Sequence, residues 1–303
     1  MQKDIKTLNV REFVDKFMQP DPVIQQIVTR NNGRFFIVAV QDMIKVSKLP
    51  VPPTRATTHT IIYLTSGIAT MKIGFHSVEI QQHECLVVPA GQVFSYEKYE
   101  VNTGFICSFD NDFLIGKIGS YDLLKEFDFL NIWANPIIKP NPQRAAYLNH
   151  TFQRICEEFS ENGLKNTNIL QSYFIAALCD LNAVYEPLSN GKSKTALTLT
   201  NRFKQLLHQH IKTKHLVADY ANLLNVSPNH LNKAVKETTS KSPSKWIDEA
   251  LVTEAKVLLF QTNNSIGEIA TELGIFDQSY FSRLFKKYEG KTPLEFRKTI
   301  EMS

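Results

Sequence analysis

Two short stretches near the end of the chain carry polar side chains of the types that contact DNA bases. They are Asn229, His230, Asn232, Lys233 and Lys236 in the first, and Gln278, Ser279, Tyr280, Ser282, Arg283, Lys286 and Lys287 in the second. Asn and Gln can pair bidentately with adenine, Arg and Lys with guanine, and Ser with either base edge. These residue types predict two DNA-binding surfaces, although a solvated helical face has the same polarity.

The two stretches lie within one pattern that occurs twice, at Val217–Trp246 and Ile266–Phe296. The copies align once one extra residue is allowed in the second, and a repeat of this length indicates duplicated supersecondary units. In each copy an apolar stripe at helical spacing predicts a short helix that ends at a turn. A second amphipathic helix follows the turn, and the two helices with the turn between them form a helix-turn-helix.

The turns support this interpretation, because each contains residues that end one helix and begin another. Gly274 suits a left-handed position after a helix, and Asn225, its counterpart, tolerates positive φ. Ser227 and Asp277 are good N-caps for the second helices. Apart from Asp277, no carboxylate lies in the first two turns of either second helix. Apart from Asp277, no negative side chain would therefore repel the DNA phosphates there.

The stretch from about Leu197 to Lys298 resembles the DNA-binding domain of AraC/XylS-type transcriptional regulators. The resemblance is most specific in the second copy, from Ile269 to Arg297, and less so in the first, where Val235 replaces a common aromatic and Ser240 a common glycine. It implies seven helices, in which two helix-turn-helix units joined by a long helix enter successive major grooves on one face of the duplex. It also implies double-stranded promoter DNA and RNA polymerase as partners.

The charge distribution agrees with a phosphate-binding C-terminal region. Residues 195–303 carry 15 Lys and Arg against 11 Asp and Glu, which is the whole net charge of +4, whereas residues 1–194 are neutral. Lys and Arg side chains favour DNA binding because they neutralise phosphates, so a basic excess in the region of the repeat is what a DNA-binding domain requires. The excess is modest, so we expect DNA affinity to need two protein copies or two half-sites.

Residues 34–109 contain many short β-rich runs separated by Gly, Pro or polar residues, which predicts a sandwich or a small barrel. The placement of Gly and Pro residues between these runs resembles that of the cupin-like jelly roll that precedes the DNA-binding domain in many AraC-type regulators. Inside such a barrel, Phe75, Phe94 and Tyr96 could form an apolar ligand pocket with Thr57 or His59 as its polar group. The same residues would equally suit an ordinary core.

A cupin metalloenzyme fused to a DNA-binding module is an alternative from the enzyme class. His59, His76 and His83 lie in the β region, but they form no His-x-His pair of the kind that converges on a metal. The sequence also offers no phosphate-binding glycine loop or nucleophile constellation. We therefore predict no metal, no cofactor and no catalytic residues.

Two amphipathic helices are predicted after the β region, at about Pro142–Glu161 and Ile169–Tyr185. Their apolar stripes are Leu148, Phe152, Ile155 and Phe159 in the first helix, and Leu170, Phe174 and Leu181 in the second. Packing on the barrel would bury these stripes within the chain. The family resemblance implies instead that they form a homodimer surface.

Cellular location is predicted from the cysteines and from apolar runs. Cys85, Cys107, Cys156 and Cys179 lie in apolar segments without a C-x-x-C pair, which favours buried free thiols in a reducing compartment. Apolar runs such as Phe35–Val40 are too short to span a bilayer, and the N-terminal residues do not resemble a signal peptide. A cytoplasmic protein with no membrane association is expected.

Together these patterns predict an α+β chain in four parts. A cupin-like regulatory domain at 1–140 precedes a helical dimerisation segment at 141–185, a linker at 186–196 and a double helix-turn-helix domain at 197–303. The leading hypothesis is a sequence-specific transcriptional regulator that responds to a small-molecule effector. An effector-independent regulator is a second hypothesis, and the residues do not distinguish activation from repression.

Overall fold

A computed structural model describes residues 7–22, 24, 33–97, 100–115, 124, 126–187 and 194–301. The chain divides into two compact units, Thr7–Pro187 and Leu188–Ser303. The first unit combines an antiparallel sheet with helices, and the second is helical throughout its described residues. The predicted fold class, a β domain with two following helices and then an all-α double helix-turn-helix domain, is confirmed, and its likeness to a cupin jelly roll stays a prediction.

The described elements of the first unit begin with a short helix and end with two long ones. Its helices are α1 Val10–Phe17, α2 Val40–Val46, α3 Asn111–Ile115, α4 Pro142–Asn162 and α5 Thr167–Asn182. Its strands are β1 Phe35–Ala39, β2 Val51–Thr54, β3 His59–Ile73, β4 His76–Gln81, β5 Cys85–Val88, β6 Phe94–Tyr96, β7 Asn102–Phe109 and β8 Ile137–Ile138. A short 3-10 turn, Asp128–Leu130, precedes β8.

The long strand β3 organises the sheet of the described residues, because it belongs to both halves of it. The main path runs β1-β7-β3-β5-β8, while β2 pairs with β6, and β4 and β6 pair with the later part of β3. All strand ladders are antiparallel. Between Leu64 and Ser66 the register against β7 shifts, and such a bulge bends a strand and increases its twist. The two halves thus curve around an interior.

Helices α4 and α5 cover one face of the sheet, and their apolar stripes lie inside the core. The seven stripe residues are between 0% and 6% exposed: Leu148, Phe152, Ile155, Phe159, Leu170, Phe174 and Leu181. Phe174 makes edge contacts with Phe35 and Phe109 of the sheet, at centroid distances of 5.3 and 4.8 Å. These side chains are therefore unavailable to a second copy of the chain. The proposed dimer surface on these stripes must be abandoned, because the sheet already buries them.

The second unit contains seven helices within its described residues 194–301, the number that the family resemblance implies for about Leu197 to Lys298. They are α6 Lys194–His210, α7 Val217–Leu223, α8 Pro228–Thr239, α9 Pro243–Gln261, α10 Ile266–Glu272, α11 Gln278–Glu289 and α12 Pro293–Glu301. Helix α9 is the long connecting helix, and it contacts α8 of the first helix-turn-helix and α10 and α11 of the second. Most of its residues from Trp246 to Leu259 are buried, so it forms the core that both repeats share.

Several sequence expectations fail at particular residues. The predicted linker 186–196 is partly replaced by α6, which already begins at Lys194, and its residues 188–193 lie outside the described part of the chain. Of the four cysteines, which are free in the structure, Cys85 and Cys107 are buried, Cys156 is half-buried and Cys179 is exposed. The expectation of four buried thiols is thus wrong for Cys179. No helix among the described residues is long and apolar enough to cross a membrane.

Candidate nucleic-acid interface and ligand cavity

The turns of the two helix-turn-helix units are built by the same backbone hydrogen bonds. The N–H of Val226 donates to the carbonyl of Ala221 at 3.0 Å, and the N–H of Ile275 donates to that of Ala270 at 2.8 Å. Asn225 has φ of 55° where Gly274 has 73°, as the sequence predicted for these turn positions. The repeat is therefore a repeat of conformation as well as of sequence.

Both second helices, α8 and α11, begin at the predicted capping residues. Ser227 Oγ accepts from the N–H of His230 at 3.1 Å. Asp277 Oδ1 accepts from the N–H groups of Ser279 and Tyr280 at 2.8 and 3.0 Å. The Asp277 carboxylate thus stabilises its own helix, and its charge lies at the positive end of the helix dipole.

The buried faces of α8 and α11 fix which side chains point outward. Leu231 and Val235 of α8 and Phe281 and Phe285 of α11 are at most 1% exposed. The predicted DNA-contacting residues lie on the other faces, and none is buried. Asn229, His230, Lys233, Lys236, Gln278, Ser279, Tyr280, Arg283, Lys286 and Lys287 are exposed, and Asn232 and Ser282 are half-buried.

Helix α11 is anchored to α9 by residues at its C-terminal end. Tyr288 Oη donates to Asp248 Oδ2 of α9 at 2.9 Å, and Lys287 Nζ lies 3.8 Å from the same oxygen. Glu289 accepts from Lys256 Nζ at 2.9 Å. Lys287 is therefore directed partly toward α9, whereas the predicted residues nearer the start of α11 precede these anchors.

A lysine beneath an aromatic ring occurs at the corresponding place in each unit, which the sequence did not predict. Lys204 Nζ lies 4.7 Å from the Trp246 ring centre, and Lys256 Nζ lies 5.7 Å from that of Phe296. Burial, with the nearby charge of Lys241, lowers the pKa of Lys204 to about 8. These contacts hold α9 against α6 and α12 against α9.

The first unit contains an apolar cavity of about 80 Å³ between α1 and the sheet. Phe94 and Tyr96, two of the five predicted ligand-binding residues, lie in its wall. The other wall residues include Val10, Phe13 and Val14 of α1, Thr58, Thr60 and Ile62, Met71, and Ile106 and Ser108 of β7. Its polar groups include Thr58 Oγ1, which accepts from Ser108 Oγ at 2.8 Å.

Thr57, His59 and Phe75 do not line this cavity, contrary to the sequence expectation. Thr57 is exposed, and Phe75 is half-buried in the turn between β3 and β4. His59 is 6% exposed, and Phe109 stacks on its ring at 5.1 Å. Its Nδ1 accepts from the N–H of Ala90 at 3.1 Å, so its Nε2 carries the proton and donates to Asn111 Oδ1 at 2.9 Å. Burial lowers the pKa of His59 to about 4, so we assign it a structural role.

Two of the histidines considered as metal ligands, His59 and His83, contact other groups. His83 Nδ1 is 3.3 Å from the Tyr63 hydroxyl, while both ring nitrogens of His59 have the partners given above. Within the described ranges, no group of three or more His, Cys, Asp and Glu side chains is placed to hold a metal ion. A binding function of the first unit can be argued from the apolar cavity between α1 and the sheet.

Comparison with known proteins agrees with this geometry. Residues 220–299 match the model of a helix-turn-helix domain family. The uncharacterised HTH-type transcriptional regulator YisR of Bacillus subtilis is 34% identical over 31% of this chain and 33% of its own length. The arabinose operon regulatory protein of Salmonella typhimurium is 26% identical over 54% of this chain and 57% of its own.

The repeated units and these matches define a helix-turn-helix protein. The chain is similar to the arabinose operon regulatory protein, which agrees with the resemblance of its C-terminal part to AraC/XylS-type regulators. It spans about a third and somewhat over half, respectively, of the two curated relatives named above. ToxT from Vibrio cholerae aligns over 83% of this chain and 92% of its own, at 16% identity and a TM-score of 0.43.

Proposed function

We propose that this protein is a sequence-specific DNA-binding transcriptional regulator. One observation carries the proposal: two helix-turn-helix units with matching turns each present an exposed helix face of base-contacting side chains, and both are fixed on α9. In helix-turn-helix proteins the second helix enters the major groove and contacts base edges with its N-terminal residues. Helices α8 and α11 are therefore the recognition helices of this chain.

Selection from genomic DNA tests this proposal. The full chain is incubated with fragmented genomic DNA of its source organism at about physiological salt, and retained fragments are sequenced. We expect enriched fragments to share a site with two conserved segments about one helical turn apart. A variant that combines Lys233→Ala with Arg283→Ala is the control and should lose the enrichment while retaining its melting temperature. Equal recovery of all fragments would contradict sequence-specific binding.

The cavity of the first unit supports a finer part of the proposal, a small-molecule effector. Its wall is apolar apart from a few hydroxyl groups, which favours a neutral and mainly apolar compound over a sugar or a charged metabolite. Its volume of about 80 Å³ is smaller than the about 150 Å³ that holds benzene in an engineered cavity. A larger effector would therefore need α1 to move outward from the sheet.

A thermal-shift screen separates this proposal from an effector-independent regulator. Small aromatic and short aliphatic compounds should raise the melting temperature, because a ligand that binds only the folded state stabilises it by mass action. The matched control is Met71→Trp, which fills the cavity from its wall and should abolish the shift. Shifts that survive in this variant would place the ligand elsewhere, and a screen without hits would favour the effector-independent alternative.

Partners and location complete the proposal. The relatives named above are transcriptional regulators, and we propose no catalytic role for this chain. A homodimer and a contact with RNA polymerase remain expectations from the family, with the dimer surface outside the buried stripes of α4 and α5. A cytoplasmic location is proposed because the promoter DNA is there. Light scattering at micromolar concentration, with and without an operator duplex, tests the dimer.

A further inference from the structure

The second helix-turn-helix unit is one residue longer than the first, and the additional residue is Phe276. In the first unit Val226 is followed directly by the N-cap Ser227. In the second, Phe276 stands between Ile275 and the N-cap Asp277. Ile275 is 6% exposed, as expected for the apolar residue that closes the turn, but Phe276 is 91% exposed. The extra residue therefore projects a phenyl ring into solvent immediately before recognition helix α11.

Folding of the second helix-turn-helix does not explain why the Phe276 ring is exposed. Phe281 and Phe285 supply the aromatic packing of α11 and are at most 1% exposed, whereas Phe276 leaves almost all of its apolar surface in water. Removing such surface from water is favourable, so an exposed ring next to a recognition surface is a candidate contact. Its position suggests which partner covers it.

The surroundings of Phe276 favour DNA over another protein. The residues that follow it, Asp277, Gln278 and Ser279, are exposed and polar, and the next exposed aromatic residue, Tyr280, is 46% exposed, so Phe276 does not belong to a continuous run of exposed apolar residues. A protein interface buries a cluster of some 20 residues on each side. A single ring instead suits a single methyl group, and thymine presents its 5-methyl group in the major groove, where Phe can contact it.

We propose that Phe276 contacts the 5-methyl group of a thymine in the half-site bound by α11 and selects thymine there. The inference rests on the proposed DNA-binding function. It adds a base contact that the first helix-turn-helix cannot make, since that helix-turn-helix lacks the extra residue. The two half-sites should then differ, with an apolar preference for thymine only where α11 binds.

Replacing single thymines by deoxyuridine tests the contact, because this removes only the methyl group. The full chain is titrated against an operator duplex from the genomic selection, with each thymine replaced in turn. We expect one position at which the wild type loses affinity about fourfold, the value for one buried methylene-sized group. Phe276→Ala should lose about the same on the thymine duplex and show no further loss with deoxyuridine at that position.

Leu294→Ala is the matched control, because Leu294 is a large exposed hydrophobic residue of the same unit but lies on α12, 53% exposed. It should retain the wild-type response to deoxyuridine. A wild type that binds the duplex without any deoxyuridine effect, or equal losses in wild type and Phe276→Ala, would overturn the contact. So would a Phe276→Ala protein with full operator affinity that fails to activate purified RNA polymerase, which would indicate a protein contact instead. Failure to bind any duplex specifically would overturn the proposed function itself, and this inference with it.

Discussion

Asn225 and Gly274 occupy the same place in the two helix-turn-helix units and adopt the same left-handed backbone. The N–H of Asn225 donates to the carbonyl of Asn222 at 3.1 Å, and that of Gly274 donates to Thr271 at 2.9 Å. The surroundings differ, because a Cβ on Gly274 would lie 2.5 Å from the carbonyl oxygen of Lys212. The two turns should therefore respond differently to alanine.

Alanine substitutions at the turn positions test this difference. Asn225→Ala should lower the free energy of unfolding by about 1 kcal/mol, the cost of a left-handed residue with a side chain. Gly274→Ala should cost more, because it adds a steric clash with the backbone. Urea unfolding of the three proteins measures both values.

Gly290→Ala is the control for these turns, since φ there is also 73° but a Cβ would meet no atom within 4 Å. Its loss should equal the conformational cost alone and so resemble that of Asn225→Ala. Equal losses at Gly274 and Gly290 would contradict the clash with Lys212.

His59 should make the first unit sensitive to acid. Its pKa is lowered to about 4 by burial, against about 6.5 in an unfolded chain, so the unfolded state binds more protons between these values. Stability from the neutral histidine is therefore present above pH 6.5 and is lost as the pH falls toward 4. Relative to His59→Gln, the wild type should lose about 2–3 kcal/mol between pH 7 and 4.5.

Urea unfolding in a Trp246→Phe background measures this difference. The chain has two tryptophans, so Trp133 then reports on the first unit alone. His59→Gln will be less stable at pH 7, because it loses a ring stacked on Phe109, and only the change with pH bears on the prediction. Parallel pH profiles of the two proteins would show that His59 is not responsible.

Arg283 should contribute to base selection in the half-site of α11. A guanidinium can pair with guanine O6 and N7, so Arg283→Ala should cost about 1–3 kcal/mol and relax the preference at one base pair. Two nearby carboxylates have other partners and are not needed to hold Arg283, since Glu272 pairs with Lys212 at 3.2 Å and Asp277 caps α11. Binding to a library of single-base operator variants measures the preference. A lower melting temperature with unchanged base preference would instead assign Arg283 a structural role.

Lys236 and Lys286 lie about one turn further along α8 and α11, where phosphate contacts are expected. Lys286→Ala should weaken binding to all sequences alike and reduce the salt dependence by about one phosphate contact, because one fewer counterion is released. Affinity measured between about 50 and 200 mM salt gives the slope for wild type and variant. Lys291→Ala, after the end of α11, is the matched control, and a Lys286→Ala slope equal to that of the wild type would remove Lys286 from the interface.

The sequence predicted the second unit much better than the first, and the reason is locality. Turn and cap residues such as Asn225 and Ser227 act within a few positions, so their effects are visible in the sequence. The apolar stripe that contains Phe152 indicated that one face of α4 is buried. It did not indicate whether the sheet or a second copy of the chain buries that face. The cavity beneath Phe13 and the hydrogen bonds of His59 depend on segments distant in sequence, which no local pattern encodes. Phe276 was visible as an extra residue, but its exposure required the structure.

The central claim is that α8 and α11 bind DNA together as a pair. Hydroxyl-radical footprinting of the full chain on its selected operator tests this most directly. Two protected segments on one face of the duplex, about 10 base pairs apart, are predicted, and Arg283→Ala should weaken only the segment bound by α11. A single protected segment, or protection that Arg283→Ala and Lys233→Ala weaken at the same place, would contradict the pairing of the two recognition helices.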